Sequence, residues 1–197
     1  MKNLKFIYLI LLAISCKAQY NIVDETTWNG VITPNLYLMD VSDNLNAFTG
    51  TYVSTSNDTI FTIKLRKILM EDIGPLTRDM LIGELEFKIG NNILLNTMSN
   101  FNVNFSNQTN HNLDGGRTLD NTDRPFCTNC VSNEKRLDLS INDTKFVSSF
   151  ILKRTVINGN SALLAYKFTQ GPHTRHVGDP PRIPIIRDGN FVFIKQP

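Results

Sequence analysis

"TIFTIKLR", residues 59–66, decides the backbone class of this chain. Thr59, Phe61, Ile63 and Leu65 share one face of an extended segment, while Thr62, Lys64 and Arg66 take the other. A period of two marks a half-buried strand, because successive side chains of extended backbone point to opposite sides. The pattern recurs along the chain. In 80–89, Leu81, Gly83, Leu85, Phe87 and Ile89 face one way and Glu84, Glu86 and Lys88 the other. "FNVNF" (101–105) alternates throughout, and Leu137, Leu139 and Ile141 alternate with Arg136, Asp138 and Ser140. "KFVSSFILKR" (145–154), "SALLAYKF" (161–168), "NFVFIKQ" (190–196) and, upstream, "LYLMDV" (36–41) and "FTGTYVS" (48–54) bring the number of short strands to nine.

Turn chemistry separates them. Ser-Asn-Asp at 56–58, Gly-Asn-Asn at 90–92, Asn-Asp at 142–143 and Asn-Gly at 158–159 are hairpin signals, and Asp188-Gly189 turns the chain into its last strand. Nothing reads as a full helix. Residues 67–81 have room for one helical turn, which Gly74-Pro75 interrupts. The pattern predicts an all-β fold, an antiparallel meander forming a single up-and-down β-barrel or strongly curled sheet over 35–197. Closure hides the strand edges that such a sheet would expose. Two stretches break the pattern and are expected to be long loops. Residues 106–134 lack apolar periodicity, and 169–189 hold Pro172, Pro180, Pro181 and Pro184. An open cavity lined by Phe61, Leu85 and Phe150 would suit a small apolar ligand; a filled interior with apolar loop tips would suit a protein partner.

The N-terminus speaks about location. Lys2 and Lys5 precede an apolar run from Phe6 to Ile14, too short to span a bilayer and of the length of a signal-peptide core. Ala13-Ile14-Ser15-Cys16 then resembles a lipobox, with Ala13 where Leu is usual. Residues 1–15 are therefore read as a signal peptide, Cys16 as the lipid-attachment residue, and 16–34 as a lipidated N-terminus and linker. The anchored chain would sit on a membrane of the cell envelope, held by acyl chains at about 0.8 kcal/mol per buried CH₂. The alternative is secretion after cleavage at Ala18.

Removing residues 1–15 leaves eighteen basic and eighteen acidic residues, a formal charge of zero, and no clustered stripe of Lys and Arg. That argues against nucleic acid as a partner. Cys127-Thr128-Asn129-Cys130 is the internal cysteine pair. In an oxidising envelope it reads as a structural disulfide, since a redox role needs this motif to open a helix. All three histidines fall in the long loops: His111 in the first, His173 and His176 in the second. Convergence with Cys127 and Cys130 would make a metal or redox centre, although the spacing fits no known zinc module. Glu84 and Glu86 look like a catalytic carboxylate pair, but alternation places both on a solvated face opposite Lys64 or Arg66. No nucleophile triad, phosphate loop or metalloprotease motif occurs, so no catalytic residue, metal or cofactor is assigned.

From Phe48-Thr49-Gly50-Thr51-Tyr52 onward the chain resembles a family of small Bacteroidota lipoproteins classed as a domain of unknown function. The resemblance rests on Ser15 to Gln19, the F-x-G-T-[WY] motif at 48–52, Phe61 to Leu65, Pro180 to Pro184, and Phe191 to Gln196. Tyr52 stands where many relatives have Trp. The glycine-aromatic start is also similar to that of lipocalin-like barrels, an analogy of fold alone. The resemblance implies that Gly50 permits a close strand crossing and that Tyr52 plugs one barrel end. Surface-export signals in such lipoproteins are usually acidic directly after the cysteine. Here the first acids are Asp24 and Glu25, which implies the periplasmic face. The expected function is that of a non-enzymatic envelope lipoprotein binding a protein partner or small apolar ligand at its loop edge. A loop-borne metal or redox enzyme and a purely structural protein are the alternatives.

Overall fold

In the computed structural model, residues 59–66 open a strand of fourteen residues, Thr59–Asp72. The structure describes residues 19–124, 130–131, 134–143, 146–172 and 184–197. Among these, the strands are β1 (Asn21–Asp24), β2 (Leu36–Met39), β3 (Gly50–Ser56), β4 (Thr59–Asp72), β5 (Thr77–Ile89), β6 (Asn92–Asn96), β7 (Leu113–Leu119), β8 (Arg136–Asp143), β9 (Phe146–Ile157), β10 (Asn160–Pro172) and β11 (Gly189–Lys195). Four short 3₁₀ turns occur and no α-helix. Eight strands, β3, β4, β5, β7, β8, β9, β10 and β11, close an antiparallel barrel in chain order. The last strand returns to the first through β11 and β3. The up-and-down barrel expected from alternation is the observed fold.

Three expectations about elements need correction. Residues 106–134 were expected to be loop, yet they contain β7, whose Leu113 and Leu119 are wholly buried. Its alternation is hidden by Gly115 and Gly116, both at positive φ, and by a register shift between Gly115 and Arg117. Such bulges add a residue and throw side-chain parity out of step. "FNVNF" alternates but is not a strand; Phe101 ends a 3₁₀ turn and its ring carries the Lys64 ammonium 4.3 Å above it. Residues 67–81 hold no helical turn. β4 runs on to Asp72 through a bulge between Ile68 and Glu71, where Met70 takes φ 55° and gives its N–H to Asp79 Oδ1 at 3.1 Å.

β5 organises the molecule because its far edge serves three partners. Thr77 and Arg78 pair with β2 in parallel, Leu81 to Gly83 with β7, and Glu86 to Ile89 with β6. β1 adds to β2 in parallel, so β1 and β2 extend the sheet as a wing beyond one barrel end.

Every second residue of the barrel strands points inward and the interior is filled. Phe61, wholly buried, touches the rings of Phe87, Phe150, Phe191 and Phe193 at centroid distances of 5.2–5.7 Å. Leu85 and Phe150 are also fully buried, so no ligand space remains beside them. One end is sealed by the 3₁₀ turn Leu45–Phe48, which inserts Leu45 and Phe48, together with Tyr52. Gly50 leaves room there for Lys195: a Cβ on it would lie 2.7 Å from Lys195 Cε. The opposite end, here termed the mouth, is stopped by Ile186.

Candidate functional site

The barrel has one weakly joined seam. β3 and β11 pair at Val53 with Ile194 and at Tyr52 with Lys195, with a further bond from Gln196 N–H to the Thr51 carbonyl at 2.8 Å. Toward the mouth, Ser54, Thr55 and Ser56 still pair with β4 but have no ladder partner on β11. A cleft of about 710 Å³ opens at this point. Its apolar lining comes from Phe87, Ile89, Phe191 and Val192, and its polar lining includes Ser54, Ser56, Arg187 and Asp188. A strand edge without a ladder partner among the described residues, beside an apolar cleft, offers backbone hydrogen bonds and side-chain pockets together.

Toward the mouth the start of β11 leaves β3 but stays on β10. Gly189 pairs with Lys167, and so on through Ile194 with Ala162. Lys167 points inward at the mouth with its side chain 1% exposed. Its ammonium donates to Asp188 Oδ1 at 2.8 Å and to Thr169 Oγ1 at 2.7 Å, and Thr169 donates to Asp188 at 2.7 Å. Desolvation pushes the Asp188 carboxyl upward, but the bonds from Lys167 and Thr169 outweigh it and hold the group below its ordinary value. This tie fixes the approach to β11, so Ile186 stays over the core and Phe191 turns toward the cleft.

Residues 1–196 match the Family of unknown function (DUF6705). The chain belongs to that family. No curated protein matches it, and no solved structure does.

Glu84 was expected on a solvated face. It does point out of the barrel, yet its side chain is 1% exposed, because the crossover between β6 and β7 lies over β5 at this point. Glu84 Oε1 lies 2.6 Å from His111 Nδ1, and His111 Nε2 lies 3.2 Å from Gln108 Oε1. Phe105 packs edge-on against the imidazole, and Gln108 N–H donates to Glu71. The array has the form of an acid-oriented general base, but a general base needs a substrate proton within reach. His111 has no exposed surface, and its second nitrogen is taken by Gln108. The group fastens the crossover to the barrel wall. Glu86 behaves nearer to expectation, accepting from Asn96 at 2.7 Å and pairing with Lys88 at 3.0 Å. Neither glutamate has Lys64 or Arg66 as an ion-pair partner; those two engage Phe101 instead.

A second buried ionic group lies further along the outer face of β5. Arg78 Nη2 donates to Glu25 Oε1 at 2.7 Å, joining the turn after β1 to the barrel. Burial pushes Glu25 up to about 7 despite the opposing pull of Arg78, and it pushes Asp114 up to about 6 in the same way. Two buried carboxyls share one guanidinium, so both cannot ionise cheaply.

Of the other sequence candidates, only Cys130 is, like His111, among the described residues. Cys16, Cys127, His173 and His176 lie outside the described residues. Cys130 has Lys153 Nζ 4.0 Å from its sulfur, and Lys153 pairs with Arg136 at one end of β8. His111 adjoins Asn112, which bonds Asn142 at the other end. Six strand steps separate Arg136 from Asn142, roughly 20 Å. His111 and Cys130 therefore do not share a site, and among the described residues no group of His, Cys, Asp and Glu is placed to hold a metal ion.

The seam and the Lys167–Asp188–Thr169 group escaped sequence reading. One signal was available. Lys167 follows Leu163 and Ala165 at the inward parity of "SALLAYKF", and an inward lysine needs a buried partner.

Proposed function

We propose that this chain is a lipid-anchored protein of the cell envelope that acts by binding a protein partner at the barrel mouth rather than by catalysis. The observation that carries the reading is the cleft at the β3–β11 seam, where a strand edge with no partner among the described residues meets apolar side chains. The filled interior directs binding to this rim, since Phe61, Leu85 and Phe150 leave no enclosed space. Exposed Ile89, Ile93 and Leu94 on the β5–β6 hairpin, near the cleft, supply the apolar loop tips suited to a protein surface. An extended segment laid along Ser54–Ser56 would gain main-chain bonds there and bury a side chain between Ile89 and Val192. The lipobox-like Cys16 and the resemblance to small Bacteroidota lipoproteins support the envelope location, with the periplasmic face preferred.

The test compares the wild-type protein with Val192→Arg and Ile89→Asp, both exposed changes that leave the barrel core untouched. Each is recovered from native envelope, and bound proteins and extractable lipids are identified by mass spectrometry. A protein that is retained by wild type and lost from both variants supports the reading. A lipid lost in the same way replaces it with a small apolar ligand. Identical material bound to all three overturns it.

A further inference from the structure

We infer that the solvent-exposed face of the β1–β2 wing, the one carrying Ile22 and Met39, rests on the bilayer and inserts its apolar side chains at the membrane interface. The inference builds on the lipid-anchor reading of Cys16 and names the surface that anchor would bring to the membrane. In the register of β1 on β2, Ile22 pairs with Tyr37 and Asp24 with Met39, so these four share one face of the wing. Tyr20 joins it, with its ring 5.9 Å from that of Tyr37. The bulge of β4 adds Leu69 and Met70 to the same place, because Asp79 accepts both the Met70 N–H and the Asp40 N–H at 3.1 Å. The opposite face of the wing is already used: Val23, Leu36 and Leu38 pack with Trp28, Ile73 and Leu76. One face is thus buried; on the other Tyr37 is buried and Asp24 is polar, while Ile22, Met39, Leu69 and Met70 are left in solvent, from Met39 at 37% exposure to Leu69 at 65%.

The chain length names the occupant. Three residue steps separate Cys16 from Gln19, where the described chain begins. Fully extended, they span at most about 11 Å. An acyl chain on Cys16 would therefore hold Tyr20 and Ile22 within a short distance of the headgroups, too near for a folded partner to intervene. Exposed aliphatic and tyrosine side chains favour that interface. Among the described residues of this face, Lys67 is bonded to Asp40 and Asp43, so the apolar side chains rather than attraction to anionic lipid are expected to drive the contact. The two firm ends of the molecule then divide the work: the wing faces the membrane, and the mouth with its cleft points away from it.

The experiment uses the full chain with Trp28 replaced by Phe, purified in detergent and reconstituted into vesicles of phosphatidylethanolamine and phosphatidylglycerol, with or without brominated acyl chains. A tryptophan reporter is placed at Leu69 or, as a second position, at Ile22; the control reporter is at Ile93 on the hairpin at the mouth end. Circular dichroism checks each variant's fold, and the mass of the N-terminal peptide reads the acylation of Cys16. Quenching of the Leu69→Trp and Ile22→Trp reporters with Ile93→Trp spared, unchanged when phosphatidylglycerol is omitted, is the expected result. Acylated protein whose wing reporters escape quenching, or are quenched no more than Ile93→Trp, overturns the surface while leaving the anchor standing. Protein that is unacylated and stays off the vesicles overturns both, and unacylated protein whose wing reporters are still selectively quenched keeps the surface and removes the anchor.

Discussion

Gly83 shows how much a single missing side chain does here. It sits where β5 is clasped by β4 at Leu65 and by β7 at Leu113. A Cβ at this position would be driven into the Lys64 carbonyl and would come within 2.7 Å of Leu65 Cδ2. Backbone cannot yield as a flexible side chain does, so Gly83→Ala is expected to destabilise the barrel by about 1–3 kcal/mol, measured as a lowered urea midpoint at constant slope. Glu84, the next residue, has the larger dependence on its partner. Its Oε2 has no hydrogen-bond partner among the described residues, and Oε1 depends on His111. His111→Leu is expected to cost about 3–5 kcal/mol, because it leaves a buried carboxylate with neither oxygen satisfied. In the double variant Glu84→Leu/His111→Leu most of that loss should return. Parity told the direction of both residues correctly. It did not tell that the outer face of β5 is covered, because the cover comes from the crossover beyond β6, with His111 27 residues after Glu84.

At the scale of elements, the strap formed by β1 and its 3₁₀ turn is held to the barrel through buried Glu25 beside Arg78, and the contribution of that carboxyl changes with pH. The folded-state pKa of Glu25 is raised from 4.5 to about 7, first by burial and against the pull of Arg78. A carboxyl raised in this way binds more protons folded than unfolded between those two values. Its contribution is therefore fully present below about pH 4.5 and is lost as pH rises to about 7, a span worth roughly 3 kcal/mol at most. Asp114, raised to about 6, acts in the same direction over a narrower window. Amide exchange in β1 should thus report an easier opening at pH 8 than at pH 5.5, after correction for intrinsic rates. Glu25→Gln should abolish most of that difference; equal protection at both pH values in the wild type would remove the strap from this account. The strands themselves were legible wherever alternation ran unbroken, as in β4, β5, β8, β9, β10 and β11. β7 was not, because its glycine pair and bulge erase the period, and β6 was not, because "NILLN" is apolar in the middle and mostly exposed.

For the molecule as a whole, the expectations concern attachment and cross-linking. Replacing Cys16 by Ala should move the protein from the membrane fraction to the soluble fraction; retention on membranes would contradict acylation at that residue. Thiol titration of the unfolded, unreduced mature protein should find Cys127 and Cys130 unreactive, and two reactive thiols would refute the disulfide proposed for them. A loop this short would give at most roughly 2 kcal/mol by chain entropy, so its reduction should lower the melting temperature only modestly.

Local physics, read from the residues, was enough to determine an antiparallel meander, barrel or strongly curled sheet, and the pairing of β11 with β3 closed it. Period-two alternation and Asn-, Asp- and Gly-rich turns act between neighbours in the chain, and hairpins leave little choice of partner. Three things were decided only when the strands met. Which stretch of β11 keeps its bonds to β3 was settled only by where the two strands diverge in space, with Asp188 held beside β10 by Lys167, and the cleft lies at that divergence. Whether Glu84 meets water depends on the path of the crossover above it. Which face of the wing stays apolar and open depends on Val23 finding Leu36 and Leu38 on the other. Each is a contact between segments far apart in sequence, where burial and pairing in space outweigh the pattern along the chain.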